Sequence, residues 1–151
     1  MKIKDRVRAH TAPDVNEQIE QETERRVRRA AGLGKIAISR QIDELEKEWD
    51  IERWLEANAA GLALTGTFLG LLVNKKFFAV PCFVLPFLLL HAVQGWCPPV
   101  PFLRRGGVRT RKEIDAEKYA LKALRGDFNE IRQTNGDPIS RARMAWQAAN
   151  T

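Results

Sequence analysis

Few side chains in this sequence could do chemistry, and they are scattered. Cys97 is the sharpest candidate. It stands in Gly95-Trp-Cys-Pro-Pro-Val-Pro-Phe102, with Arg104 and Arg105 close behind. Nearby positive charge lowers a thiol pKa and raises the thiolate fraction. Such a thiolate could carry a persulfide, form an intermolecular disulfide or be acylated. The plainer alternative is that Gly-Trp-Cys-Pro only shapes the exit of the chain from an apolar helix. Cys82, the other cysteine, falls inside an apolar run, where a thiol serves as a small hydrophobe.

His91, Gln94 and Cys97 are spaced to line one side of a helix. One His and one Cys make a poor metal site, because zinc takes about four ligands. A carbonyl partner or a place near lipid headgroups is the simpler expectation for His91. Glu113, Asp115 and Glu117 alternate around a basic helix and read as surface ion pairing rather than acid–base machinery. Gly32-Leu-Gly-Lys35 lacks the rest of a phosphate loop. The sequence shows no nucleophile–base pair, no metal-ligand cluster and no dinucleotide fingerprint, so no catalytic residue, metal or cofactor is expected.

The elements that must position these residues are set by an uneven charge distribution. The chain has 151 residues and a net charge of +6; its mean hydropathy of −0.35 looks soluble. Residues 1–56 hold 12 Lys/Arg against 13 Asp/Glu, and residues 97–151 hold 11 against 6. Between them, residues 57–96 carry only Lys75 and Lys76 and no acid. A basic chain can seek nucleic acid or anionic lipid. The apolar centre and the lack of interleaved aromatic and basic residues favour lipid, and no nucleic-acid partner is expected.

Asn74, Lys75 and Lys76 split that centre into two runs, about 57–73 and 77–96. Neither run has the polar face of a soluble core helix. In lipid every backbone group must be satisfied internally, which leaves helices as the form for both. The first run lies near the lower length limit for a span. Pro81 and Pro86 predict a kink in the second. Gly66 and Gly70 form a GxxxG step, whose small residues let helices approach closely, either the second run or another copy.

Orientation follows from Lys and Arg beside the spans. Arg40, Lys47 and Arg53 precede the runs, and Arg104, Arg105, Arg109, Arg111 and Lys112 follow them, against Lys75 and Lys76 at the turn. Both termini are therefore expected in the cytoplasm, with Trp54, Trp96, Arg104 and Arg105 as interface anchors. The opening Met1-Lys-Ile-Lys-Asp-Arg6 is charged and no apolar run follows before residue 57, so the hairpin itself would direct insertion.

The flanks read as helices. Thr11-Ala-Pro-Asp14 predicts a capped start running to about Ala31, closed by Gly32-Leu-Gly34. Its few apolar positions, Val15, Ile19 and Val27, suit a helix that is solvent-exposed or lies on a partner, and Arg25, Arg26, Arg28 and Arg29 complement its C-terminal dipole. Ile38, Ile42, Leu45 and Trp49 mark an amphipathic helix with no evident break before the first apolar run. Pro98, Pro99 and Pro101 exclude a continuation of the second run. Thr110-Arg-Lys-Glu113 is a capping box opening a helix with Ile114, Leu121 and Leu124 on one face and a stop at Gly126. Asn135-Gly-Asp-Pro138 predicts a turn and a last helix start, and the tail with Met144 and Trp146 could rest on a membrane surface.

The stretch Gln94–Phe128, QGWCPPVPFLRRGGVRTRKEIDAEKYALKALRGDF, resembles the YgaP-like inner-membrane family of bacteria, in which a two-helix hairpin ends in a Gly-x-Cys-Pro element, here Gly95, Cys97 and Pro98. Longer members are also similar through Glu44-Leu-Glu-Lys-Glu-Trp-Asp-Ile-Glu-Arg53 and Glu56-Ala-Asn-Ala-Ala60, so the resemblance covers about residues 14–128. Some members carry a rhodanese domain before the hairpin. This sequence has no such domain and no Cys heading a rhodanese-type loop, so sulfurtransferase activity does not carry over. The expectation is an all-α membrane protein: a charged segment 1–56, a hairpin 57–96, and a Pro-rich exit loop with a basic helical tail 97–151. The resemblance implies the bacterial inner membrane as its location and a structural or accessory role, through self-association at the Gly66/Gly70 face or attachment to a larger membrane complex. The alternative is a sulfur or redox relay using Cys97.

Overall fold

The structure, a computed structural model, describes residues 5–129, 131 and 138–150. It is all-helical, with no strand among the described residues. The helices are α1 (Arg6–Ala9), α2 (Pro13–Ala30), α3 (Lys35–Lys47), α4 (Ile51–Leu72), a 3-10 turn (Lys75–Phe78), α5 (Ala79–Gln94), α6 (Val100–Arg105), α7 (Arg111–Arg125) and α8 (Pro138–Asn150). They form two compact units, each assembled from separate stretches: residues up to Ile19 with Trp49–Lys112, and Glu20–Glu48 with Glu113 onward.

The first unit is built on the α4–α5 hairpin. The expected run-on from the amphipathic helix is broken: α3 ends at Lys47, Trp49 lies outside it, and the Asp50 carboxylate accepts the Arg53 N–H at 2.8 Å to open α4 afresh. Asp50 wins because its side chain offers an N-cap acceptor just where the periodicity changes. At the far end Asn74 accepts the Lys76 N–H at 2.9 Å and sets the turn. Pro81 sits in the first turn of α5, where its missing N–H costs nothing, and Pro86 lies inside the helix. α5 stops at Gln94, capped by Gly95, which takes φ 78° and whose N–H reaches the His91 carbonyl at 2.7 Å.

Gly66 and Gly70 face the rest of the same hairpin. A Cβ on Gly66 would fall 2.7 Å from Val80 Cβ and 2.8 Å from Pro81 Cδ, and one on Gly70 would meet the Phe78 ring at 3.0 Å. The expected self-association face is thus already filled within the chain, because the tight turn brings α5 onto it. The outer faces are bare: Leu64, Phe68, Leu71, Phe83 and Leu89 are all between 59% and 69% exposed.

Under the base of the hairpin lies a small core of Val7, Ile51, Leu55, Cys97 and Val100, with Phe87, Leu103 and Val108 packed on it. α1 is capped by Asp5, whose Oδ1 accepts the Val7 and Arg8 N–H groups. Arg6 Nη1 donates to the Ala92 and Val93 carbonyls at 2.9 and 3.0 Å, satisfying open acceptors at the end of α5. Thr11 does not cap α2 as expected from its place before Pro13; its hydroxyl donates to the Val7 carbonyl at 2.8 Å and closes α1. Val15 and Ile19 of α2 are buried, contrary to a wholly exposed helix. The prolines after Gly95 end α5 as expected, yet they also start α6, since Pro99 and Pro101 fit a helix's first positions.

The second unit packs α3 against α7. Ile38, Ile42 and Leu45 meet Ile114 and Leu121 over Ala30. Leu124 is off this seam and 43% exposed. α7 runs from just after Thr110 to Arg125, and Gly126 (φ 96°) ends it, its N–H reaching the Lys122 carbonyl at 3.1 Å. Glu113 and Glu117, expected on the surface, are buried; Glu117 accepts from Arg26 at 3.0 Å. Arg28 and Arg29 pair with Glu24 and Glu22 on the exposed side of α2. The turn predicted at Asn135-Gly-Asp137 lies outside the described residues, and α8 begins at Pro138.

Candidate functional site

An apolar cleft of about 370 Å³ lies at the base of the hairpin. Leu55, Asn58 and Leu62 of α4 form one wall, Phe83 and Phe87 of α5 the other, and Cys97 lies on its floor. Spacings of three and four place 55, 58 and 62 on one face of α4. Asn58 Nδ2 is engaged with the Trp54 carbonyl at 2.7 Å. The size falls in the small-molecule range, but the lining offers almost no polar group to orient a substrate.

Cys97 is 6% exposed and belongs to the core beneath the cleft. Burial pushes its thiol pKa up, the reverse of the lowering expected from the nearby arginines. Arg104 is 1% exposed and turned inward, donating to the Val108 carbonyl at 3.1 Å and to Asn16 Oδ1 at 2.9 Å. It is therefore no interface anchor, while Arg105 is exposed. The sequence offered no sign of this, because Asn16 is 88 residues away.

Trp54 and Trp96 keep partial exposure, 39% and 36%. Trp54 does not stand alone: its ring meets Trp49 edge-on at 5.4 Å, and the Arg53 guanidinium lies 4.6 Å from the centroid of the Trp49 ring. This aromatic–cation group at the start of α4 was legible only as three separate residues. His91 is buried, and its Nδ1 has no hydrogen-bond partner, so the expected carbonyl contact is not made. Asp5 and Thr110, 105 residues apart, meet through a 2.8 Å hydrogen bond.

Among the described residues no group of three or more His, Cys, Asp or Glu is placed to hold a metal ion. Chemically, the site is an apolar cleft over a buried thiol. Two helical stretches, Lys35–Leu72 and Lys75–Gln94, contain windows long and apolar enough to cross a membrane. The chain matches no family model, no curated protein and no solved structure.

Proposed function

We propose that this chain is a YgaP-like integral membrane protein of the bacterial inner membrane, whose α4–α5 hairpin crosses the bilayer with both termini in the cytoplasm, and that its role is structural or accessory. The observation that carries the reading is the bareness of the hairpin. In the second apolar window only 6% of residues are buried, whereas the core helix of a soluble protein would be mostly covered. A lipid phase would cover the exposed Leu, Phe and Val side chains on all sides.

Length is compatible with it. The apolar part of α4, residues 57–72, gives about 24 Å of helix, near the lower limit for a span. The 3-10 turn and α5 together supply roughly 32 Å, which suits a hydrocarbon core of about 30 Å. Inward burial of Arg104 and Arg109 leaves the orientation argument intact, since the count of Lys and Arg acts during insertion, before the fold exists. Association with copies or with a larger complex would use the outer faces around Phe68 and Phe83, because the glycine face is occupied. Burial of Cys97 weighs against the thiol relay.

Extraction tests the reading. The protein should stay with membranes through high salt and alkaline carbonate and leave only with detergent; release by carbonate would overturn it. Crosslinking of native membranes, with wild type and Cys97→Ser side by side, should then capture the same complex from both. A Cys97 adduct lost in the Ser variant, without any complex, would favour the relay instead.

A further inference from the structure

The last helix presents a surface that the hairpin does not explain. α8 runs Pro138–Asn150 and contains Arg141 and Arg143 with no Asp or Glu. Successive helix residues turn by about 100°, so Ile139, Arg143 and Trp146 fall within about 60° of one another. Ala148 lies on the opposite side and is buried. That inner side is fixed by Lys122, whose fully buried side chain brings Nζ to the Ala149 carbonyl at 2.8 Å. The outer stripe leaves Ile139 and Trp146 each 72% exposed, with Arg143 exposed between them.

The geometry points to α8 as a second membrane contact, an interfacial helix that docks on anionic lipid headgroups. Charge selects the occupant. A stripe with an aromatic, a branched aliphatic and arginine, and no acid, complements an anionic leaflet, into which Trp and Ile insert at headgroup depth while arginine meets phosphate. A second copy is disfavoured, because pairing two such stripes brings arginines together without a counter-charge. The inference rests on the membrane reading of the hairpin: a chain anchored by the hairpin is tethered to the bilayer, and tethering turns a weak contact into an effective one.

The test uses the full chain in nanodiscs of phosphatidylcholine alone or with phosphatidylglycerol, each containing brominated phosphatidylcholine as quencher. Trp146 emission is taken as the difference between wild type and Trp146→Phe. On discs with phosphatidylglycerol, Trp146 should be quenched by the brominated chains and shielded from acrylamide; on phosphatidylcholine alone it should be open to acrylamide. Each arginine near an anionic surface is worth roughly a factor of five, so Arg143→Gln, the one arginine in the stripe, should lower the docked-to-free ratio about fivefold. Trp146 open to acrylamide on both discs overturns the inference. So does shielding that ignores lipid charge and appears only with more than one chain per disc, which would make a second copy the occupant. If the chain does not co-elute with discs at all, the membrane reading falls and this inference with it; co-elution with an exposed Trp146 removes only this inference.

Discussion

Gly66→Ala should loosen the hairpin, while Gly61→Ala, in the same helix, should not. The new Cβ at 66 would lie 2.7 Å from Val80 Cβ, 2.8 Å from Pro81 Cδ and 3.1 Å from Val80 Cγ1. None of these atoms is the far end of a flexible side chain: Val80 Cβ is fixed to the backbone and Pro81 Cδ is in a ring. Relief therefore requires α4 and α5 to move apart, and overpacking of this kind costs about 1–3 kcal/mol. Both substitutions gain the helix propensity of Ala over Gly, about 1 kcal/mol, so the difference between them isolates the clash. Gly61 has nothing within 4 Å of its would-be Cβ. Gly70→Ala should fall between, since the Phe78 ring at 3.0 Å can tilt away. The assay is unfolding in dodecylmaltoside micelles against the mole fraction of added SDS, read by tryptophan emission. Gly66→Ala should unfold at the lowest SDS fraction of the three. If it matches Gly61→Ala, the close approach of α4 to Val80 and Pro81 is wrong.

Arg125 donates from Nε to Asp127 Oδ1 at 2.8 Å and from Nη2 to Oδ2, and this holds the Asp127 carboxyl below the usual carboxylate range. A lowered folded pKa gives stability that is present above the unfolded value and lost as pH falls through the folded one. Asp127→Asn should cost about 1–2 kcal/mol at neutral pH and flatten the acid limb of a stability–pH curve; parallel curves for wild type and variant would refute the pairing. Cys97 should alkylate with maleimide more slowly than glutathione at neutral pH and need a more alkaline pH to react, because burial raises its pKa. Arg6→Ala removes the donor to the Ala92 and Val93 carbonyls and should lower stability by about 1–2 kcal/mol in the same micelle titration; an unchanged midpoint would mean water serves those carbonyls as well.

Local rules carried far where the chain speaks to its neighbours. Gly95 and Gly126 end their helices because each residue takes a positive φ that Gly adopts without strain; the stop at Gly126 was legible, whereas the run before Gly95 was carried to residue 96 and its end assigned to the prolines that follow. Ile38, Ile42 and Leu45 share a face by spacing alone, and that face is buried. The Asp50 cap was equally local, yet the continuous periodicity from Ile38 to Trp49 hid it. What spacing could not supply is the destination of long polar side chains. Glu117, Lys122 and Arg104 look like surface residues, and each is buried with a hydrogen-bonding partner from a distant stretch, Arg26, Ala149 or Asn16.

By itself, then, the sequence determined the helical class, the two apolar runs and the polar turn between them, since these depend on composition and on contacts within a few residues. Only the tertiary structure decided that the glycine face is filled by α5, that Arg104 points inward and that Cys97 lies under an apolar cleft with a raised pKa. Those outcomes depend on which surfaces meet across the chain. Burial sets both the dielectric around a thiol and the partners of a buried guanidinium, and no linear pattern encodes it.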